Sequence, residues 1–364
     1  MKKIIIVTIL YLVTLNINAQ EYRKYWKDGE LTWEDFKGKH TAKHTAYLSY
    51  MVTYKMDKKE INDVIYQGLF SNAYIDKSLS FFHPNLKNNN FLEYNQVLFN
   101  LIEISKRNLQ QRLFELNNVY DANSLLMDNI KHLEKTIFDF KEEGGYGLQN
   151  NITKQWLTNT QEQLSKIPAF EPPNYKKSKW TYGMYGGLDF GMYEEDFSKF
   201  FKNTLALSFG FEFSYQKTHL LLNMSFTNSK LNKDFSTNSF LIPQGEKSTI
   251  SMLNAAVGYP IYETNKLKIV PFIGYGLTAL EEVTENKNKG GITKSTSIFG
   301  INFDFKNKKR INFTPIFFNI REEGNSFIRT RIFMAKSNFD PNLIGYSINI
   351  GVAYGFEARI LSKK

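Results

Sequence analysis

The sequence predicts two domains of different class: an α+β domain over residues 20–167, then a transmembrane antiparallel β-barrel of about 8 strands over residues 179–364. Three observations carry this reading. Residues 91–167 repeat their apolar positions with a helical period, whereas residues 179–361 alternate apolar with small or polar positions, the period of a strand. Between them Pro168-Ala169-Phe170-Glu171-Pro172-Pro173 ends the helical pattern and suits an extended linker over residues 168–178.

Residues 1–19 read as a secretory signal peptide, with Lys2-Lys3, an apolar run from Ile4 to Leu15 and the small-residue end Ile17-Asn18-Ala19. Cleavage after Ala19 would leave Gln20 first and lower the formal net charge from +10 to +8 by removing Lys2 and Lys3. A basic chain seeks nucleic acid, acidic lipid or an acidic partner. Export excludes nucleic acid, and the lysines are scattered rather than clustered on one helix. With no cysteine the chain has neither a disulfide nor a cysteine for a lipid anchor. Beyond the leader no apolar stretch approaches the roughly 20 residues of a spanning helix, so a membrane would be crossed by strands.

In the first half, alternation over Tyr47–Tyr54 and Val64–Phe70 predicts two strands, and helical periods predict helices over Phe91–Leu116, Ala122–Phe140 and Thr153–Ile167. The first helix contains Tyr94-Asn95-Gln96-Val97-Leu98-Phe99, with Glu103 and Arg107 further along. It resembles the active-site helix H-E-Q-x-H-F-D-I-x-E of a family of secreted zinc-dependent proteases. Gln96, Phe99, Glu103 and Arg107 fit that pattern. The opening Leu31-Thr32-Trp33-Glu34-Asp35-Phe36-Lys37-Gly38, the strand pair and the following connection come in the same family's order. A later family feature, His-Gly followed by Gln-x-x-Trp, is represented by Tyr146-Gly147 with Gln155 and Trp156.

The resemblance implies a degenerate site. Zinc hydrolysis needs two imidazoles one helical turn apart and a carboxylate base. Tyr94 and Leu98 stand at the ligand positions, Asn95 at the base and Tyr146 at the third ligand. A leucine offers a metal no lone pair, and an asparagine amide is no general base near neutral pH. Tyr94, Leu98 and Tyr146 are expected to fill the emptied pocket, with no metal and no cofactor. His40 and His44 are four apart, but they follow Gly38 and lead into a strand, where that spacing does not chelate.

In the second half, eight strands are expected over residues 179–192, 204–216, 218–228, 248–262, 266–280, 293–306, 325–336 and 343–361. Many exceed the 9 to 11 residues that cross a bilayer at the usual tilt. Connections after even strands are short, while 229–247 and 281–291 are long and polar, the asymmetry of an outer-membrane barrel. The closing Gly351-Val352-Ala353-Tyr354-Gly355-Phe356 and the repeated glycine-aromatic strands resemble small eight-stranded outer-membrane barrels, although Glu357–Lys364 continue past the aromatic end. Ile311–Arg321 fits awkwardly and leaves ten strands as the alternative. An eight-stranded barrel has an interior that side chains fill. Glu212, Asn223, Asn302, Asp304, Arg329, Arg331, Asn349 and Glu357 are expected inside, pairing into a polar plug.

Together these features imply an integral outer-membrane barrel with its N-terminal domain in the periplasm. That domain would be a non-catalytic pseudo-protease, serving as a docking or scaffolding module for an envelope complex of other proteins. The alternatives are a small channel or surface-binding barrel, and a residual metal-dependent hydrolase.

Overall fold

The computed structural model describes residues 22–39, 46–236, 241–282, 291–315, 320–340 and 343–363. The expected leader, His40 and His44 lie outside them. The chain divides into two compact units, the first comprising residues up to 58, 67–173 and 313–319, the second 59–66, 174–312 and 320–364. The chain thus passes between units at 58/59, 66/67, 173/174, 312/313 and 319/320, where one passage was expected at the linker.

In the first half of the chain, β1 (Tyr50–Ile61) and β2 (Val64–Asp76) form a hairpin turning at Asn62-Asp63. Both turn residues hold positive φ, which Asn and Asp tolerate better than other non-glycine residues. The helices are α1 (Asn89–Phe114), α2 (Ala122–Glu143) and α3 (Asn150–Lys166). Asn88 caps α1 by accepting from the Phe91 amide at 2.9 Å. Apolar residues occur on most of the circumference of α1, and it is the central element accordingly. Val97, Leu101, Leu109 and Leu113 join one core with Val52, Leu69 and Ile75 of the strands and Leu133, Ile137 and Phe140 of α2.

The first unit also takes in Phe313 and Thr314 from far along the chain. Phe313 is 1 % exposed and packs edge-on against Phe70 and Phe114, at ring-centroid distances of 5.2 and 4.7 Å. Its amide donates to the Gln67 carbonyl, and Thr314 Oγ1 accepts from the Leu69 amide at 2.8 Å. The next backbone groups of β2 are met by Gln110, which accepts from the Ser71 amide at 2.8 Å and donates to the Leu69 carbonyl at 3.2 Å. This close approach requires Gly68: a Cβ there would lie 2.5 Å from Thr314 Oγ1 and 2.6 Å from the Phe313 ring.

The second unit is a closed antiparallel barrel of β3 (Trp180–Glu195), β4 (Thr204–Tyr215), β5 (Thr218–Lys230), β6 (Lys247–Gly258), β7 (Leu267–Glu282), β8 (Gly291–Lys306), β9 (Arg321–Asp340) and β10 (Leu343–Ser362). Each strand pairs with the next, and β10 pairs with both β9 and β3, so no edge is left. The count is eight, not ten. Ile311 and Asn312 belong to a short strand, Lys309–Asn312, paired with the start of β9, after which Phe313 leaves for the other unit. The expected loop asymmetry is therefore incomplete. The connection from 307 to 320 is long although it leaves an even strand, and β9 and β10 are separated by only residues 341–342.

Alternation along the strands sorts side chains between outside and inside. Outward residues are exposed and apolar on every strand, as with Leu188, Phe209, Leu222, Val257, Ile273, Phe299, Ile332 and Tyr354. Trp180, Tyr215, Tyr259 and Tyr262 are exposed where strands meet the 216–217 turn and the 259–266 connection, with Trp180 and Tyr215 in ring contact at 4.9 Å. The opposite mouth is closed by Phe197 and Phe201 together with Leu231, Phe235, Ile242 and Phe339.

Candidate functional site

Tyr94, Asn95 and Leu98 follow one another on the face of α1, and the fold brings Tyr146 to the same place from beyond α2. All four line one cleft of about 870 Å³. The expectation that Tyr94, Leu98 and Tyr146 fill the pocket is thus not met. The cleft stays open because Tyr146 turns to the rim. It sits at φ 55°, is 62 % exposed, and donates its hydroxyl to Glu142 at 2.8 Å. Positive φ is uncommon for a bulky residue, and such strain concentrates at binding sites.

Tyr94 is 6 % exposed, with its ring stacked on Phe140 at 4.9 Å. Burial, with Tyr146 a smaller contributor, raises its pKa to about 12, so the phenol remains a hydrogen-bond donor throughout the physiological range. Asn95 donates Nδ2 to the Phe91 carbonyl at 2.8 Å, which leaves its amide oxygen as an acceptor. Trp156 donates to Glu143 at 2.8 Å, while Gln155 is exposed on α3. Among the described residues no group of three or more His, Cys, Asp or Glu converges as metal ligands would.

The positions that fit the helix pattern act as fasteners. Gln96 accepts from the Leu31 amide at 2.8 Å and donates to Asn100 at 2.9 Å, and Asn100 in turn receives the Trp26 indole N–H at 3.2 Å. Glu103 is buried and pairs with Lys106 at 2.7 Å and Arg107 Nε at 2.9 Å. Arg107 donates to the Leu164 and Ile167 carbonyls, satisfying the C-terminal end of α3. Phe99 is 1 % exposed in the core.

Inside the barrel, Glu212, Asn223, Asn302, Asp304, Arg329 and Arg331 are buried, and Asn349 and Glu357 are half-buried. Arg329 grips Asp304 with two bonds, Nε to Oδ1 at 2.6 Å and Nη2 to Oδ2 at 2.8 Å, and also reaches Glu212 at 2.6 Å. Sequence reasoning missed several members. Lys268, 1 % exposed, joins Glu212 at 3.3 Å and Asp304 at 3.6 Å and pairs with Glu357, while His219 meets Glu212 at 2.6 Å. Arg331 forks onto Asp189, also missed, and reaches the Tyr185 hydroxyl at 3.2 Å. Gly351 makes room for that pair, since a Cβ there would lie 1.9 Å from Asp189 Oδ1. Asn349 bonds Ser347 at 2.9 Å beside a residual cavity of about 60 Å³ under the aromatic mouth. Cations and carboxylates therefore alternate across the middle of the lumen, while a cavity of about 300 Å³ bordered by His219 and Glu357 lies toward the 216–217 turn.

No protein-family model matches the chain, and no curated protein matches it. Among solved structures, the chain is similar to Ail, the attachment invasion locus protein of Yersinia pestis, crystallised with the heparin analogue sucrose octasulfate. The identity is 11 % and the TM-score 0.29, covering 50 % of this chain and 99 % of that one. Neisserial surface protein A is similar at 7 % identity and TM-score 0.30, covering 50 % and 97 %. The N-terminal β-barrel domain of Pseudomonas aeruginosa OprF is similar at 10 % identity and TM-score 0.25, covering 50 % and 99 %. The barrel itself stands on its own strand pairing, closed between β10 and β3.

Proposed function

We propose that this protein is a non-catalytic outer-membrane barrel whose N-terminal unit, a pseudo-protease, lies in the periplasm as a docking or scaffolding module for envelope proteins. The observation that carries the membrane reading is the belt of exposed apolar side chains on all eight strands. In water it would be an aggregation surface far beyond what a soluble monomer presents. In a bilayer it is the lipid face, and the tyrosines and Trp180 near the strand ends suit an interfacial girdle.

The same barrel is poorly suited to transport. Its lumen holds the paired charges around Arg329 and Arg331, and an aromatic cluster covers one mouth. A tether is the role that remains for it. In the N-terminal unit, Leu98 and Asn95 cannot supply the ligand and the base of a zinc hydrolase, which supports binding without catalysis.

Photoreactive residues at Tyr120 and Met127, both well exposed on the N-terminal unit, test the docking role in native membranes. Crosslinking followed by mass spectrometry is expected to give discrete protein adducts at stoichiometric yield. Adducts from positions on the barrel alone would place the interaction there and reject the module.

A further inference from the structure

We propose that the open cleft on α1 is a binding site for a glycan carrying N-acetylated amino sugars. Six aromatic rings line it, those of Tyr47, Tyr50, Phe91, Tyr94, Phe138 and Tyr146. Its volume of about 870 Å³ lies in the range of ligand sites rather than of packing voids. Sugar rings present flat C–H faces edged by hydroxyls, and aromatic faces complement the former while mixed donors and acceptors complement the latter.

The polar groups narrow the choice. The Tyr94 hydroxyl lies on a residue only 6 % exposed, borders the cleft and has no hydrogen-bond partner among the described residues. The hydroxyl faces the cleft rather than the core, so a ligand acceptor takes the place of water there, a net gain of about 0.5–1.5 kcal/mol. Asn95, 3 % exposed and on the same wall, adds an amide oxygen with no hydrogen bond to the described residues. One unpaired donor and one unpaired acceptor on a wall complement a secondary amide, whose carbonyl takes the phenol proton and whose N–H meets the asparagine. An acetamido sugar offers that amide beside ring faces for the surrounding aromatics, and its methyl group suits Leu98 and Ile137. Glu134 and Lys141 at the cleft serve the sugar hydroxyls.

A peptide also carries amides, but it is held chiefly by pairing along a strand edge. Among the described residues two strands border this cleft: Ala46–Tyr47, two residues long and already paired with Phe81–Phe82, and β1, which reaches the cleft only at its first residue, Tyr50. Neither lays a run of unpaired backbone along the cleft wall to direct a peptide.

The glycan's biological source rests on the periplasmic location proposed above, whereas binding can be measured without it. The test is titration calorimetry of the full-length chain in lipid nanodiscs with the tetramer of N-acetylglucosamine. Glucosamine tetramer and the blocked peptide acetyl-Leu-Phe-Leu-amide serve as comparisons. The acetylated sugar is expected to bind saturably, the unacetylated one at least tenfold more weakly, and the peptide not at all. Tyr94→Phe, which keeps the ring and removes only the hydroxyl, should weaken the acetylated sugar about tenfold. Tyr146→Ala at the exposed rim should weaken it without disturbing the core. No saturable binding, equal binding of both sugars, preference for the peptide, or indifference to both substitutions would each overturn the proposal.

Discussion

Arg329 and Asp304 are register partners on adjacent strands and face each other inside the barrel, both fully buried, joined by two hydrogen bonds of 2.6 and 2.8 Å. Two charges buried this deeply are stable only together, because removing either leaves the other unpaired in a low-dielectric interior. Arg329→Met is therefore expected to destabilise the barrel by about 3–5 kcal/mol, read from the urea midpoint at which the fast-migrating folded band is lost. Arg329→Met with Asp304→Asn should recover part of the loss, since Lys268 still pairs with Glu212.

The outward face gives a second expectation. Ile273 is 69 % exposed in mid-strand, and a lysine there would be harmless on a soluble sheet. In a bilayer, Ile273→Lys costs about 2–4 kcal/mol and should lower the fraction of chain that folds into vesicles. The unmodified protein should fractionate with outer membranes and migrate anomalously when unboiled. Recovery as a detergent-free soluble protein with unaltered folding of Ile273→Lys would reject the lipid face.

For the cleft, the purified protein is expected to carry no stoichiometric zinc and to cleave no peptide. Combining Tyr94→His, Asn95→Glu, Leu98→His and Tyr146→His should confer zinc binding, measured by elemental analysis after dialysis. Zinc in the unmodified chain that is lost on Tyr94→Phe would overturn the pseudo-protease reading.

A lumen crossed by paired charges predicts an electrically silent barrel. In planar bilayers the protein should give no discrete conductance steps, whereas a small channel would show them at once. Steps abolished by blocking the lumen would favour transport over tethering.

Phe313 is buried in the first unit although it follows six of the eight barrel strands in sequence. Phe313→Ala should cost that unit about 3–5 kcal/mol. Limited proteolysis should then cut the N-terminal unit while the unboiled barrel band persists.

Much of the barrel was legible, because alternation over 12 or more residues leaves few ways to place a strand once one face is apolar. Glu212, Asp304 and Arg329 could be assigned inward by parity alone. Asp189 and Lys268 share that inward parity on β3 and β7, and a count along each strand would have found them. That Lys268 meets Glu212 is another matter, since it depends on register and shear across several strands. In the first half, the helix order and the convergence of Tyr94, Leu98 and Tyr146 were readable from a motif. The open state of their cleft was not, because it follows from the turned backbone at Tyr146. The docking of Phe313 and Thr314 was also hidden. It joins residues some 245 apart, as in the bond from Leu69 to Thr314, and no local period records such a pairing.

That pairing sets an order on biogenesis. A chain made from its amino end delivers residues 22–173 first, with Phe170 able to meet Phe70 and Phe114 but their contacts with Phe313 unmade and the β2 amide of Leu69 still without Thr314. Phe313 follows only after β8, when six of the eight barrel strands have already been made. Maturation of the front of this polypeptide therefore waits on its rear. A chaperone that shields the half-finished front during that interval would act on faces of Phe70 and Phe114 that Phe313 covers in the completed molecule.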